Sequence, residues 1–300
     1  LLSQLTDGAY DERPLPPQAR SARTRLSALV RSGPDDGDAV SGDSSLPLRY
    51  IAIGDSLSEG VGDEPWPDGS PRGWTDRLAS LLTAHYGQHR AIHYANLAVR
   101  GYKTAQVVDT QIQTAIALRP DFVTLTAGMN DIMRPRVDFG ALKTALIGLV
   151  EPLTAAGTKV YVVPIPNIAG VSPAGPLINT RRLRLNAIYQ HLVDFHGVLP
   201  LTNTTNSVFE DPRAWDEDRL HLATLGHERL ACAAAASFGV PIDFDFLSPP
   251  EGPALERTAG TEAQWWWKHV RPWIYRRLTG KSSGDGRVAK RPDLGPIVDE

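Results

Sequence analysis

Cysteine is almost missing from this chain. Cys232 stands alone, so no intrachain disulfide can form. Its alanine-rich setting, LACAAAASFG, reads as a buried helix, not as the electropositive surroundings an activated thiol needs. One cysteine suits the cytosol and leaves export open. No apolar run approaches the roughly 18 residues of a membrane span. No signal peptide is visible in LLSQLTDGAYDERP, which is poor in apolar residues and soon acidic. The expected location is cytoplasmic; residue 1 is Leu, so a removed leader stays open. Neither sign of charge dominates: the formal net charge of −3 excludes the global basic footprint of a nucleic-acid binder. The histidines at 85, 89, 93, 191, 196 and 269 are scattered, without H-E-x-x-H and without a cysteine partner, so no metal site is expected. GDSLSEGVG lacks the Gly-Lys-Ser/Thr of a phosphate-cradling loop, and DGDAVSGDSS lacks the terminal Glu of a calcium loop.

What is present divides into three parts. Residues 1–47 are rich in Pro, Gly, Ser and Asp around a short basic stretch, ARSARTRLSALVR, and read as an arm or linker, partly disordered. From 48 to 240, strand-like and helix-like runs alternate. The strand candidates are LRYIAIG, AIHYANLA, DFVTLTAG, KVYVVPIPN and VLPLTN. The helix candidates between and after them include WTDRLASLLTAHYG, with apolar spacing at Trp74, Leu78, Leu81 and Leu82, and TLGHERLACAAAASFG. Five strands alternating with helices predict an α/β domain with a parallel sheet covered on both faces. No internal repeat is visible. Residues 241–300 form an appendage: a Pro-rich connection, an amphipathic Trp-rich basic helix over about 262–281, and a disordered tail.

In such sheets ligands bind at the carboxyl ends of the strands. Those ends carry Ser56 in GDSLSEG, Asn96 and Gly101 in NLAVRGYKT, Asn130 and Asp131 in GMND, and Asp218 and His221 in DEDRLHLATLGH. This is an acyl-transfer inventory. A serine hydroxyl needs a base, neutral imidazole serves near pH 7, and a carboxylate on the other ring nitrogen fixes the tautomer. Asp218 and His221 are close enough in sequence to pair. The backbone N–H groups of Ser56 and Gly101 and the side-chain amide of Asn130 supply three candidate donors for an oxyanion. His227 competes with His221 as the base, and Asp216 with Asp218 as its orienter. Asp131 is left as structural.

These motifs, in this order, resemble the SGNH or GDSL hydrolase family over roughly residues 48–240. The family's serine, glycine, asparagine and histidine map onto Ser56, Gly101, Asn130 and His221, and its carboxylate onto Asp218. The resemblance implies a flavodoxin-like three-layer α/β/α sandwich with a five-stranded parallel sheet. It also implies esterase or lipase chemistry with no metal and no cofactor. An α/β-hydrolase elbow, G-x-S-x-G, is disfavoured because Ser58 stands at the fifth position.

A serine esterase acting on a small-molecule ester, of short acyl or acetyl type, is therefore expected. A lipid-active esterase or thioesterase and a non-catalytic binding protein on the same fold are the alternatives. Trp66 and Trp74 are candidates to line an acyl or sugar pocket, with core packing favoured for Trp74, and Arg134 and Arg136 are candidates to hold an anionic substrate group, with solvated loop positions favoured. The 262–281 helix is expected to dock on the catalytic domain or a second subunit, ahead of lying on an anionic membrane surface. Oligomeric state is not legible.

Overall fold

The computed structural model describes residues 46–171, 175–201, 207–255, 258–272, 275, 279 and 282–297. Nearly all of the N-terminal arm therefore lies outside the described residues, as do Ile274, Arg276, Arg277, Leu278 and Lys281 of the Trp-rich segment.

Strand β1 (Leu48–Gly54) shows why the chain folds in layers. A strand sends alternate side chains to opposite faces. Leu48, Tyr50 and Ala52 enter one core cluster, and Ile51 and Ile53 the other. Strand β2 (Ile92–Asn96), β3 (Phe122–Thr126), β4 (Lys159–Val162) and the short β5 (Leu199–Pro200) lie parallel alongside. All five elements were expected from their apolar runs.

Helix α1 (Ser56–Glu59) is one turn following β1. Helix α2 (Trp74–Tyr86) buries Trp74, Leu78, Leu82 and Tyr86, a four-residue repeat that makes one continuous apolar stripe. It packs against α7 (Thr224–Ser237) on the first face. Helices α3 (Thr104–Ala117), α5 (Phe139–Ala155) and α6 (Gly175–Phe195) cover the second face, with α4 (Met129–Ile132) a single turn after β3. Asp138 caps α5 by accepting the Ala141 N–H at 3.0 Å, and the helix continues through Pro152. Cys232, on α7, is half-buried, and burial raises its thiol pKa, so it is not an activated nucleophile.

The strand order is β5-β4-β3-β1-β2, with a sixth strand beyond β2. The first five give the flavodoxin-like arrangement, whose crevice opens where the winding reverses, between β1 and β3. The sixth strand corrects the expected count and the expected tail. Strand β6 (Arg291–Pro296) pairs antiparallel with β2 at the sheet edge. Pro292, Gly295 and Pro296 argue against a strand in sequence, but an edge strand tolerates them. Just before it, the Lys290 ammonium is buried, donating to Asp76 Oδ2 at 2.5 Å and to the carbonyls of Pro71 and Arg72 at 2.7 and 2.9 Å. That anchor, the pairing with β2 and the contact of Ser282 with Gly101 fasten to the domain a segment that composition alone assigns to a disordered tail.

Candidate active site

The turn after β1 begins with a clamped peptide. Gly54 donates its N–H to Gln111 Oε1 at 2.8 Å and accepts from Gln111 Nε2 at 2.9 Å. Asp55 donates its N–H to Thr126 O at 3.1 Å, and its side chain accepts the Leu57 N–H, capping α1. Ser56 is the first residue of that helix and is half-buried. Below it, Ser58 is fixed by a buried network: its hydroxyl bonds Thr126 Oγ1 at 2.7 Å, and its carbonyl accepts from Thr75 Oγ1 and Asn96 Nδ2 at 2.9 and 2.7 Å. Asn96 is thus a structural clamp.

The Gly101 loop is tied to the same helix. The buried carboxylate of Glu59 accepts the Arg100 backbone N–H and also pairs with the Arg100 guanidinium at 2.6–2.7 Å. Gly101 has φ +78, a left-handed conformation that suits glycine. Its bare Cα is also approached closely, by the chain itself: a Cβ there would lie 2.5 Å from the Ser282 hydroxyl and 2.6 Å from that of Ser283.

The Asn130 amide donates to Tyr102 O at 3.1 Å and to Asp55 Oδ2 at 3.3 Å, joining the β1, β2 and β3 loops. Asp131 accepts the Thr104 N–H and hydroxyl at 2.9 and 3.0 Å and so caps α3, a structural role. Burial pushes the Asp55 carboxyl up to about 7, Asp131 adds to the rise, and the Leu57 N–H, His221 and Asn130 oppose it.

On the far side of the crevice, His221 Nδ1 meets Asp218 Oδ2 at 2.6 Å. The other carboxylate oxygen accepts the N–H groups of Leu220 and His221 at 2.9 and 3.0 Å. Burial alone would raise the Asp218 pKa. The His221 hydrogen bond and charge, with the two backbone N–H groups, outweigh it and hold the carboxyl at about 2. An ionised carboxylate on Nδ1 makes that nitrogen the N–H and leaves Nε2 as the lone pair. Asp216 instead closes the turn through its backbone, donating to His221 O at 2.9 Å and accepting from the Arg219 N–H at 2.8 Å.

The two sides touch at Gly62, just past α1. A Cβ on Gly62 would lie 2.2 Å from Leu222 O and 3.3 Å from His221 Cβ. His227, the competing base, is fully buried and spent on structure. Its Nδ1 accepts the Trp74 N–H and its Nε2–H donates to Val61 O, both at 3.1 Å, and burial lowers its pKa to about 4. Trp74 is fully buried in the core. Trp66 packs at the core edge with the Arg72 guanidinium over its ring, and Arg136 is exposed. Among the described residues no group of His, Cys, Asp and Glu has the makings of a metal site, and no helix is long and apolar enough to cross a membrane.

The model of the GDSL-like lipase/acylhydrolase family matches residues 52–229, more than half of the chain. The chain belongs to the GDSL-like lipase/acylhydrolase family. Carboxylic-ester hydrolysis is the activity that membership carries.

Among solved structures this acylhydrolase resembles a single-site variant of Axe2, an acetyl xylan esterase from Geobacillus stearothermophilus. Identity is 20% and the TM-score 0.57, covering 67% of this chain and 99% of that one. It also resembles LAE5, an α/β hydrolase enzyme from the metagenome of Lake Arreo, Spain, at 20% identity and a TM-score of 0.55, covering 65% and 97%. At such identities the likeness carries the fold. A Bacillus subtilis (strain 168) protein, uncharacterized protein YpmR, is 33% identical over 91 residues, 29% of this chain and 33% of its own length. The match thus spans about a third of that relative.

Three residues without a place in the chemical inventory brace the loops of the candidate site: Glu59 and Arg100 tie the Gly101 loop to α1, and Gln111 clamps Gly54. Glu59 had a legible signal, a carboxylate inside an otherwise small-residue turn. Gln111, on the middle of α3, had none.

Proposed function

We propose that the protein is a serine esterase that works through an acyl-enzyme intermediate and prefers short acyl groups such as acetyl. Ser56 Oγ attacks the acyl carbon while His221 Nε2 takes its proton, and Asp218 steadies the imidazolium through Nδ1–H. The alcohol leaves with the proton returned by His221. The same histidine then activates a water molecule that releases the acid. The oxyanion is received by the N–H groups of Ser56 and Gly101 and by Asn130 Nδ2, whose longer bond, to Asp55, is the one an oxyanion would displace.

One observation carries the reading: the 2.6 Å Asp218–His221 pair, with its tautomer set for base catalysis, packs against the loop that begins with Ser56. The acyl preference rests on Ser282–Gly284 closing over the Gly101 loop and limiting the room beside it. The acetyl xylan esterase name of a structural neighbour is consistent with that preference.

The test is hydrolysis of p-nitrophenyl esters from acetate to palmitate, with Ser56→Ala in parallel. Short-chain turnover that vanishes in the variant is the expected result. Turnover rising with chain length would refute the acyl preference in favour of lipid esters. A Ser56 that ignores both esters and a fluorophosphonate probe would refute the enzyme reading.

A further inference from the structure

The family match ends at residue 229, yet the chain beyond it returns to the turn that carries the acid and the base. Arg219 lies between Asp218 and His221 with φ +56. A residue with a side chain enters that left-handed region at a cost, whereas glycine takes it freely. Arginine at this point therefore needs a reason, and its side chain supplies one. Helix α8 (Ala259–Trp265), capped by Thr258, follows the Pro-rich connection. Glu262 on α8 accepts two hydrogen bonds from the Arg219 guanidinium, each 2.8 Å, and Trp265 lies under it at 4.6 Å from the ring centroid. A bidentate carboxylate fixes the plane and direction of the guanidinium, and the indole fixes its face. In the following turn Lys268 pairs with Glu217, on the other side of Asp218. That second pair is exposed and contributes little. The Arg219 side chain is only 15% exposed.

We propose that Arg219 is a positioning residue: held by Glu262 and Trp265 of the C-terminal helix, it keeps the Asp218–His221 turn in register with Ser56. The proposal rests on the esterase reading above. The same contacts would also suit a simple anchor that docks α8 on the domain. The two roles differ in what they move. An anchor changes the stability of α8 docking and leaves chemistry alone. A positioning contact changes kcat, because Asp218 and His221 must be aligned when the proton moves, whereas substrate binding does not require it.

The experiment measures kcat and KM for p-nitrophenyl acetate with the full chain, alongside thermal midpoints, in wild type, Ser56→Ala, Glu262→Gln, Arg219→Gly and the Arg219→Gly/Glu262→Gln double variant. Glu262→Gln keeps shape and loses the charge that holds the fork. Arg219→Gly relieves the backbone and loses the grip, so it folds whichever role is true. Both are expected to lower kcat about ten- to a hundredfold with KM nearly unchanged. The double variant should be no worse than the worse single one, as for two halves of one contact. Arg219→Lys should fail to restore kcat, since an ammonium cannot make the planar fork. Unchanged kcat in both single variants, with Ser56-dependent turnover in wild type, would overturn the proposal and leave Arg219 an anchor. Losses that follow only from a lowered folded fraction would overturn it equally. Absence of Ser56-dependent turnover in wild type would bring down the esterase reading itself, and this proposal with it, a result distinct from the other two.

Discussion

Replacing His227 by Gln separates structure from catalysis at the two candidate histidines. Glutamine has an N–H and a carbonyl oxygen with which to meet Val61 O and the Trp74 N–H, and it does not titrate. In the folded wild type, burial lowers the His227 pKa to about 4, against an ordinary value of 6.5. Its folded pKa is depressed, so the unfolded chain binds the proton first. The stability it contributes is fully present above pH 6.5 and is lost as pH falls toward 4. A gap of about 2.5 units at about 1.36 kcal/mol each makes the whole loss about 3 kcal/mol, and about 2.5 kcal/mol by pH 4.5. The wild-type profile alone will not display this, because Asp55 works in the opposite direction. Its folded pKa of about 7 exceeds the ordinary 3.8, so the folded state binds that proton first and gains stability over the same acid range. The informative quantity is the difference between wild type and His227→Gln, in which Asp55 cancels. Urea unfolding at pH 7, 6, 5 and 4.5 should show the variant gaining about 2–3 kcal/mol relative to wild type between the first and last points. The variant should also retain Ser56-dependent ester turnover at pH 7. A pH-independent difference would refute the assignment of His227 as a buried neutral bridge. Turnover lost as completely as in a His221→Ala enzyme would refute the division of roles.

Asn130→Ala should lower kcat about a hundred- to a thousandfold, or about 2.7–4 kcal/mol of barrier, with KM little changed, as judged by steady-state kinetics; an equal loss in KM alone would mean the amide serves binding and not the oxyanion. Lys290→Met should destabilise the fold by about 3–5 kcal/mol in denaturant unfolding, because it strands the buried Asp76 carboxylate, and pairing it with Asp76→Asn should recover a large share; a cost under about 1 kcal/mol would show the anchor to be dispensable.

The legible and the illegible parts of this molecule divide by the range of the interaction that fixes them. The alternation in Tyr50 to Ile53 and the four-residue stripe from Trp74 to Tyr86 are local consequences of period, so strands and helices could be read from them directly. The Asp218–His221 pair was legible for the same reason: three residues of chain bring the carboxylate within 2.6 Å of the ring. His227 was ambiguous because its burial is set by α2 and the α1 loop, more than a hundred and fifty residues away in sequence. Strand β6 was misread because its pairing with β2 and the Lys290–Asp76 contact span some two hundred residues, while locally its prolines and glycines look like a tail. A shorter separation, 43 residues, was still enough to hide the grip of Glu262 on Arg219, which no spacing rule could supply. What composition assigned to an appendage therefore pairs with one sheet edge, packs against Gly101 and grips Arg219 in the Asp218–His221 turn. A truncation after residue 240 would remove all three, so an inactive core expressed without residues 241–300 would say nothing against Ser56.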